Sequence, residues 1–482
     1  MGWARRVGMD AAARQLLAAG TGDALLVSTD ADTRVAPGWL AALLRAADDG
    51  HEVVAGDVVA DPGAPLDREL RRRRAAAAGV RLRAVRTVDH DASHHHFSAA
   101  NLALTVRAYE ACGGMPTPRA LEDEALLEAV RRAGLAVHRT TDAVVHTSPR
   151  TEGRAPRGLA ADLALETWRI RRRHDHREFG IARLADAVRR SGTRVSVVLP
   201  AKDVAGTVAG VLERTVAPLV ETGVVSEVVV VDARSADGTA RIAAAHGAVV
   251  LQQDELVPGA GPCLGKGDAM WRALQATEGD VVAFLDADTA DPTPAHLAGV
   301  LGPLLTDDGV AMVRGCFDRP RLEADGSLSA HGGGRVTELT ARPLLNLHRP
   351  LLAGFRQPLA GEFAARRDLL ERLPFPVGYG VEIATLVDAL ELVGLDGLAE
   401  VDLGVRQNRH QSLRELSTMA YAVLCALERR LGRGAVVPGS MRLPWADDLP
   451  RAVPVAERPP VAGDGLAADR PRTTAEDERV AS

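Results

Sequence analysis

Residues 279–291, GDVVAFLDADTAD, decide the fold predicted for this chain. The apolar run 281–285 ends directly on Asp286-Ala287-Asp288. Such a run is typical of a buried parallel strand whose carboxyl end opens into a cleft, where open α/β sheets bind ligands. Two aspartates at i and i+2 offer hard oxygen ligands to a divalent cation that also binds a diphosphate. The pattern predicts a nucleotide-sugar site, and an exposed turn is the alternative.

Bulk composition restricts the class of protein. The chain has 482 residues, which suggests two to four domains, and 46% of them are hydrophobic. With 58 basic and 64 acidic residues the formal charge is −6, so neither a nucleic-acid partner nor an anionic membrane surface is predicted. The four cysteines form no CxxC pair, which fits a reducing cytoplasm. No signal peptide is recognised, and no stretch approaches the roughly 20 apolar residues of a membrane span.

The strand-and-aspartate arrangement occurs a second time, near the start of the chain. Residues 23–40, DALLVSTDADTRVAPGWL, place Asp30 and Asp32 after an apolar strand. Two copies so far apart predict two related domains rather than a repeat array. Far fewer strand and helix patterns precede Asp30 than precede Asp286. The first domain is therefore expected to lack its opening half.

These observations predict four segments. Residues 1–150 form the truncated domain, 151–193 an arginine-rich helical linker, 194–435 a complete α/β domain, and 436–482 a disordered tail. The linker arginines recur among alanines and leucines at helical spacing, which indicates solvated helix faces rather than a nucleic-acid surface. The end of the tail has too few apolar residues to pack.

Two further segments of the complete domain point to the same sheet edge. A predicted strand at 227–231 ends on Asp232, and Ser235 follows shortly before a helix. This places a carboxylate and a capped helix N-terminus where a uracil and a ribose can bind. Lys266 lies between two glycines, which let the backbone and the ammonium approach a diphosphate closely. The GxxxxGK[ST] spacing of a Walker loop is absent.

The first domain carries a different constellation. Residues 94–103, HHHFSAANLA, lead to Gly113-Gly114 and then to Glu122-Asp123 at the start of a helix. This resembles the second half of inverting family 2 glycosyltransferases, and the resemblance implies Asp123 as the base candidate. Without a donor-binding half, catalysis by this domain is not expected. The histidine triplet is interpreted as a polar loop, because three adjacent residues cannot converge on one ion without a strained backbone.

A more specific resemblance covers residues 194 to about 432, which are similar to the glucosyl-3-phosphoglycerate synthase family of retaining glycosyltransferases. The resemblance implies an α/β, Rossmann-like GT-A domain, preceded by an incomplete GT-A-like domain at the N-terminus. The blocks that carry it are LPAKD, VVVDARSADGT, GKGDAMWRAL, FLDADT, GRVTELTARPLLNL, QPLAGEFA, GYGVEIATLVD and DLGVRQNRHQSL.

The family's residue roles carry over to the matching positions. The implied catalytic residues are Asp288, Glu382 and Lys266, with Asp288 binding Mg²⁺ or Mn²⁺ and Glu382 holding sugar hydroxyls. Asp232 or Ser235 is expected beside the uridine. The implied donor-binding residues are Pro200, Ala201, Asp203, Asp232, Ser235, Lys266, Asp286, Gly361 and Glu362.

The acceptor side follows in the same way. An arginine, a hydroxyl and free amides after a run of glycines make an anion nest, which suits the phosphate of 3-phosphoglycerate. The family's metal-binding histidine aligns with Asn408, whereas His410 lies two positions further on. Residues two apart on extended chain face the same side, so both stay open, with His410 as the second metal ligand. The implied acceptor-binding residues are Gly334, Arg335, Val336, Thr337, Asn408 and His410.

The resemblance implies transfer of glucose from UDP-glucose to 3-phospho-D-glycerate with retention. The alternatives are another donor or acceptor, such as GDP-mannose or a polyprenyl phosphate, and a non-catalytic scaffold built of degenerate transferase folds. The resemblance also leaves a homodimer open.

Overall fold

The structure is a computed structural model, and it forms two compact units, Met1–Ile170 (unit 1) and Arg171–Ser482 (unit 2). The residues that it describes are 2–61, 63, 67–118, 121–151, 153, 157–322, 328–329, 333–406, 412–432, 437–445 and 450–462.

Unit 1 contains a five-stranded sheet with helices on both faces. Its strand order is β1-β4-β3-β5-β2, with β3 parallel to β5 and the other neighbours antiparallel. Helix α2 covers one face, and α1, α4 and α5 pack on the other. The strands are β1 Leu25–Thr29, β2 Thr33–Val35, β3 Val53–Ala60, β4 Asn101–Thr105 and β5 Val137–Thr147. The helices are α1 Gly2–Ala18, α2 Trp39–Asp48, α3 Arg68–Val85, α4 Val106–Ala111, α5 Glu122–Arg132 and α6 Leu159–Arg171.

Unit 2 is built on an eight-stranded sheet of order β6-β16-β11-β14-β10-β7-β8-β9. All neighbours are parallel except β14, which runs antiparallel between β10 and β11. Three further pairs, β12–β13, β15–β19 and β17–β18, are short. The strands are β6 Arg173–Asp175, β7 Val195–Ala201, β8 Glu227–Asp232, β9 Val249–Gln252, β10 Val281–Phe284, β11 Met312–Asp318, β12 Arg321–Leu322, β13 Leu328–Ser329, β14 Phe363–Arg366, β15 Phe375–Pro376, β16 Leu398–Val405, β17 Ser440–Met441, β18 Arg451–Ala452 and β19 Glu457–Arg458.

The helices of unit 2 connect and cover these strands. Two π-helical turns, Leu212–Val216 and Thr337–Ala341, and three 3₁₀ turns, His176–Glu178, Pro258–Ala260 and Pro350–Gly354, accompany them. The α-helices are α7 Ile181–Ser191, α8 Val208–Val211, α9 Ala217–Glu221, α10 Thr239–Ala245, α11 Lys266–Gln275, α12 Pro294–Thr306, α13 Arg342–His348, α14 Arg367–Leu370, α15 Val381–Val393 and α16 Leu413–Arg430.

The central strand β10 fixes the site's position. All four of its residues are buried, because β7 and β14 flank it and helices cover the sheet. Its parallel neighbours β7 and β8 end at the same edge, and antiparallel β14 begins there. An added Cβ on Gly361, just before β14, would clash with the Asp286 carboxylate. Strand ends from four parts of the sequence therefore meet beside Asp286, as open α/β sheets do at their binding edge.

The segment predicted as a linker divides between the two units. Helix α6 belongs almost entirely to unit 1, whereas β6 and α7 belong to unit 2. Strand β6 pairs in parallel with β16, and Leu184 of α7 is fully buried in the core of unit 2. The apolar face of α7 therefore packs on the sheet instead of forming part of a separate linker.

Within residues 436–482, predicted to be disordered, the structure describes 437–445 and 450–462, and short strands pair in both stretches. Strand β19 pairs with β15, and the Trp271 indole donates a hydrogen bond to the Pro459 carbonyl at 2.8 Å. The guanidinium of Arg458 binds the buried carboxylate of Asp268 at 2.7 and 2.9 Å. A few specific contacts anchor a segment whose average composition is polar. Residues 463–482 lie outside the described residues, and disorder there stays a prediction.

Among the described residues, no helix has both the length and the apolar character that crossing a membrane requires.

Helix α11 begins against a backbone that leaves no space for a side chain at Gly267. An added Cβ there would clash with the Pro376 carbonyl oxygen, which belongs to β15. We expect Gly267→Ala to lower the free energy of unfolding by about 2 to 4 kcal/mol, because backbone must move to accept the methyl group. Urea unfolding followed by tryptophan fluorescence measures the change.

Gly259→Ala is the matched control, since nothing lies within 4 Å of a Cβ at that position. Equal stability of the two variants would show that the contact between α11 and β15 is not tightly packed.

Candidate active site

A cavity of about 780 Å³ opens at the carboxyl end of the unit 2 sheet. It brings together residues from β7, the turn after β10, α11, the π-helical turn at 337–341 and α15, which are far apart in sequence. The residues predicted from sequence that line it are Pro200, Ala201, Lys266, Asp286, Asp288, Gly334, Arg335, Val336, Thr337, Gly361 and Glu382.

Lys266 forms the electrostatic centre of this cavity. Its Nζ lies 2.7 Å from Asp286 Oδ1 and 2.9 Å from Glu382 Oε1. Lys266 is the first residue of α11 and Glu382 the second of α15, so two helix starts converge on the end of β10. Gly265 permits this approach because its φ of 147° is a backbone conformation that glycine adopts readily. A Cβ at this position would lie only 2.8 Å from the Val377 carbonyl oxygen, which is too close.

The charges in the cluster fix its protonation states. Burial alone would raise the pKa of Asp286, but the positive charges of Lys266 and Arg406 hold it well below its usual range. Burial alone would lower the pKa of Lys266, but Asp286 and Glu382 raise it above its ordinary value. The ammonium and the Asp286 carboxylate are therefore both charged at neutral pH.

Asp288 differs from Asp286 in being more exposed and in having no cation as close as Lys266 is to Asp286. Its side chain is 54% exposed, and the nearest guanidinium nitrogen, on Arg406, is 3.8 Å away. Burial and the neighbouring charge of Asp286 raise the pKa of Asp288. A carboxylate that faces a cavity beside a second negative charge is well placed to bind a cation.

Arg406 is a site residue that the sequence analysis missed. Its side chain is fully buried at the end of β16, and its guanidinium pairs with Glu362. It also donates to the Thr289 hydroxyl at 2.6 Å and lies 3.5 Å from Asp286 Oδ2. Glu362, predicted to bind the donor, therefore contacts Arg406 and is not among the residues that line the cavity. The available signal was the position of Arg406 directly after a strand, in the block DLGVRQNRHQSL.

Three predicted donor residues hold a loop together beside the cavity instead of lining it. The Asp203 amide donates to Ser235 Oγ at 2.8 Å, and Asp203 Oδ1 accepts from the Ala236 amide at 3.1 Å. Asp232 is buried and accepts from the Ser235 amide and from Gln252, each at 3.1 Å. These contacts join the ends of β7 and β8, and a direct role with uridine stays a prediction.

The predicted metal and acceptor residues Asn408 and His410 lie outside the described residues. Several other residues that line the cavity were not singled out from sequence, although some of them belong to the blocks that carry the family resemblance. They include Lys202, Gln253, Leu264, Arg319, Gln357, Tyr379, Met419 and Val453.

In unit 1 the corresponding aspartates have arginine partners. Asp30 pairs with Arg5, and Asp32 lies 2.7 Å from Arg150. Strand β1, which carries them, is at the edge of its sheet, whereas β10 of unit 2 has a strand on each side. Asp123 accepts hydrogen bonds from Ser98 Oγ and the Ala99 amide, both at 3.1 Å. Burial raises the pKa of Asp123.

Comparison with known proteins defines the class. Residues 3–109 and 196–342 match glycosyl transferase family 2, and the chain belongs to this family. Within it, the chain is 46% identical over 277 residues to the glucosyl-3-phosphoglycerate synthase of Mycolicibacterium smegmatis, covering 56% of this chain and 90% of the relative. The predicted glycosyltransferase class and the specific resemblance are thus confirmed.

Solved structures agree with the sequence relatives. The Mycobacterium tuberculosis glucosyl-3-phosphoglycerate synthase, solved with Mn²⁺, UDP-glucose and phosphoglyceric acid, has a TM-score of 0.53 at 39% identity, covering 58% of this chain and 94% of that one. The mannosyl-3-phosphoglycerate synthase of Rubrobacter xylanophilus has a TM-score of 0.55 at 44% identity, covering 61% of this chain and 98% of that one. The predicted α/β GT-A fold is confirmed.

The charge cluster predicts a pH-dependent loss of stability in Lys266→Met. Asp286 has a depressed pKa when folded, so it stabilises the fold above its unfolded value of 3.8, and this contribution is lost as pH falls through the folded pKa. Removing the ammonium leaves two buried carboxylates poorly compensated. Because the Lys266 side chain is 24% exposed, we expect a loss of about 2 kcal/mol at pH 7 rather than the larger value of a fully buried pair.

At pH 4 the loss should be smaller, since the carboxylates of the variant take up protons more readily there. Urea unfolding at both pH values tests this, with exposed Lys202, the chain's other lysine, changed to Met as the control. A loss that does not shrink at pH 4 would argue against the electrostatic explanation.

Proposed function

We propose that unit 2 transfers glucose from UDP-glucose to the 2-hydroxyl of 3-phospho-D-glycerate with retention, giving glucosyl-3-phosphoglycerate and UDP. The observation that supports this most is the Lys266–Asp286–Glu382 cluster, in a cavity that is also lined by Pro200 and Ala201 of the predicted donor set and by residues 334–337 of the predicted acceptor set. Six relatives named for this reaction share 36 to 46% identity over more than half of the chain.

The donor half of the cavity lies at the ends of β7 and β10. Pro200 and Ala201 form an apolar wall for the uracil, and the loop tied by Asp203 and Ser235 holds this wall in place. The Lys266 ammonium neutralises diphosphate charge, and its two carboxylate partners fix its direction.

The donor set also fits Mg²⁺ or Mn²⁺. Asp288 presents a partly exposed carboxylate to the cavity, next to the carboxylate of Asp286, and oxygen ligands suit both ions. Asp288 would hold the ion, with His410 or Asn408 as the proposed second ligand. When bound, the ion supplies Lewis-acid stabilisation of the negative charge on departing UDP.

The acceptor half is the turn at residues 334–337. Gly334 has φ of 69°, the chain turns helical directly after it, and Arg335 lines the cavity. An arginine at the start of a helical turn suits a phosphate, which accepts several charge-assisted hydrogen bonds. We therefore assign the anionic end of 3-phosphoglycerate to this turn.

Retention in such a site needs no strong enzymatic base. Glu382 is buried and bound to Lys266, so it serves as a hydrogen-bond acceptor for sugar hydroxyls rather than as a strong base. The proton of the acceptor hydroxyl passes to an oxygen of the departing phosphate on the same face of the sugar. The chain contributes orientation and charge stabilisation.

The donor sugar has one specific rival. Because the Rubrobacter xylanophilus neighbour is named for mannosyl transfer, GDP-mannose is the second candidate donor. Residence in the cytoplasm and a homodimer are further parts of the proposal.

The test is release of nucleoside diphosphate by the purified chain with Mg²⁺, comparing UDP-glucose with GDP-mannose, each with and without 3-phosphoglycerate. We expect UDP release that depends on the acceptor. If the chain released GDP from GDP-mannose but no UDP from UDP-glucose, the donor would be GDP-mannose. Release without any need for phosphoglycerate would contradict the acceptor assignment.

Asp288→Asn should reduce kcat by roughly 10³-fold or more, because the principal carboxylate ligand for the ion is lost. Asp32→Asn, the matching change in unit 1, should leave kcat unchanged, since Asp32 is paired with Arg150. Steady-state UDP release measures both. A comparable loss in the two variants would mean that unit 1 participates in the reaction.

Arg335→Ala should raise KM for 3-phosphoglycerate about 10- to 100-fold, the equivalent of one or two charge-assisted hydrogen bonds, with a smaller change in kcat. KM for UDP-glucose should stay within about twofold of the wild-type value. Arg342→Lys, further along the same helical segment, is the control. If Arg335→Ala raised only KM for UDP-glucose, Arg335 would bind the donor and not the acceptor.

A further inference from the structure

Unit 1 contains a cluster of metal-ligand side chains that the family assignment does not explain. Asp57, His94 and His96 each offer a ligand atom, and these atoms lie within 4.8 Å of one another. His96 Nδ1 is 2.8 Å from Asp57 Oδ1. Among the described residues, this is the one group of three or more such side chains that meets this distance.

The histidine triplet was expected to be a polar loop because three adjacent residues cannot converge on one ion. In the structure, a possible metal site is formed by a different set of residues. Alternate residues, His94 and His96, converge, and the third ligand comes from β3. The ring of His95 lies against that of His96, with centroids 4.0 Å apart, and His95 is not part of the cluster.

A backbone contact fixes the tautomer of His94. Its Nε2 is 3.1 Å from the Ala55 carbonyl oxygen, which can only accept, so Nε2 carries the proton. The lone pair is therefore on Nδ1, where it accepts from the His96 amide at 3.1 Å. Metal-bound histidines commonly donate their other nitrogen to a carbonyl in this way, and an ion at Nδ1 would replace the amide contact.

An interruption in the pairing of β3 with β5 lies beside Asp57. Gly56 is opposite Thr140 and Asp57 is opposite Val144, so the additional residues belong to β5 and not to the strand that carries Asp57. Buried Asn101 holds the two strands together there by donating to the carbonyls of Asp57 and Ala143 at 2.8 and 2.9 Å. A Cβ on Gly56 would clash with the Asn101 amide. Buried contacts therefore fix the backbone beside Asp57, where its carboxylate meets His96.

We propose that Asp57, His94 and His96 form a binding site for one divalent transition-metal ion, with Zn²⁺ the best match. Two imidazoles and one carboxylate form a borderline nitrogen-oxygen set that prefers Zn²⁺ and its neighbours to Mg²⁺. Asp57 and His96 are 20% and 27% exposed, so solvent reaches the site and can complete the coordination. The site is separate from the carboxylate site of unit 2 and does not depend on the proposed transfer reaction.

The test uses the full-length chain without a histidine tag, carrying Asp288→Asn so that the unit 2 site does not contribute. After removal of metals with a chelator, Zn²⁺ is titrated against a chromophoric competitor, and Co²⁺ is added separately to record its visible absorption. We expect one Zn²⁺ per chain and a Co²⁺ spectrum typical of four or five nitrogen and oxygen ligands.

Three single variants in the same background identify the ligands. Asp57→Asn and His96→Gln should each weaken Zn²⁺ binding by at least roughly 10- to 100-fold. Loss of a residue that only hydrogen-bonds to a metal ligand already weakens binding by that factor. His90→Gln, an exposed histidine four residues before His94, should leave affinity unchanged. Circular dichroism checks that each variant is folded.

Failure of the Asp288→Asn chain to take up one Zn²⁺ would overturn the proposal, and this result needs no further variant. Equal weakening by His90→Gln would overturn it as well. Glucose transfer is assayed with Mg²⁺ in the chain with an intact Asp288, with and without Asp57→Asn. This assay distinguishes failure of the proposed Zn²⁺ site from failure of the proposed transfer reaction.

Discussion

The ammonium of Lys266, held between Asp286 and Glu382, is the interaction on which the active site depends. Two buried carboxylates close together are unstable without a cation, and one removed partner leaves uncompensated charge. The cation is delivered by the start of α11, and one carboxylate by the start of α15. Gly265 and Gly267 pack closely against β15 and the residue after it, and this packing positions Lys266 beside the carboxylates. The ion pairs thus join the sheet edge and two helices into one cavity.

The two copies of the Asp-x-Asp arrangement show what the motif alone does not provide. In unit 2 the strand carrying it has β7 on one side and β14 on the other, and Asp288 is left facing the cavity. In unit 1 the strand carrying it is at the sheet edge, and arginines pair with both aspartates. The same short sequence therefore serves two environments. Its chemistry is set by the strands and cations around it rather than by the aspartates.

Much of unit 2 could be predicted from sequence because its signals are local. An apolar run that ends on aspartates, a lysine between glycines and a glycine-rich turn each imply their own backbone, and all three line the cavity. The pairing of Arg406 with Glu362 could not be predicted, because the two residues are far apart in sequence and lie next to different strands. Neither motif indicates which residue its charged side chain contacts. The packing of residues 450–462 was missed for a related reason. Average composition describes a segment, whereas Arg458 and β19 anchor it through single contacts.

The histidine triplet shows the same limit from the opposite direction. Spacing correctly argues that three neighbours cannot share an ion, but it says nothing about a third ligand from another strand. Asp57 meets the histidines beside an interruption in the pairing of β3 with β5, where Asn101 binds the Asp57 carbonyl, and such an interruption leaves little trace in the pattern of apolar residues. Tertiary context, not local propensity, decides which polar side chains meet.

We propose that the cavity around Lys266 transfers a glucosyl group to phosphoglycerate with retention, and the structure of the product decides whether it does. UDP-glucose, 3-phosphoglycerate and Mg²⁺ are incubated with the chain, and the product is examined by mass spectrometry and proton NMR. We expect one product, an α-glucoside on the 2-hydroxyl of 3-phosphoglycerate. A β-linked product would contradict retention, and free glucose or unchanged substrates would contradict the transfer itself.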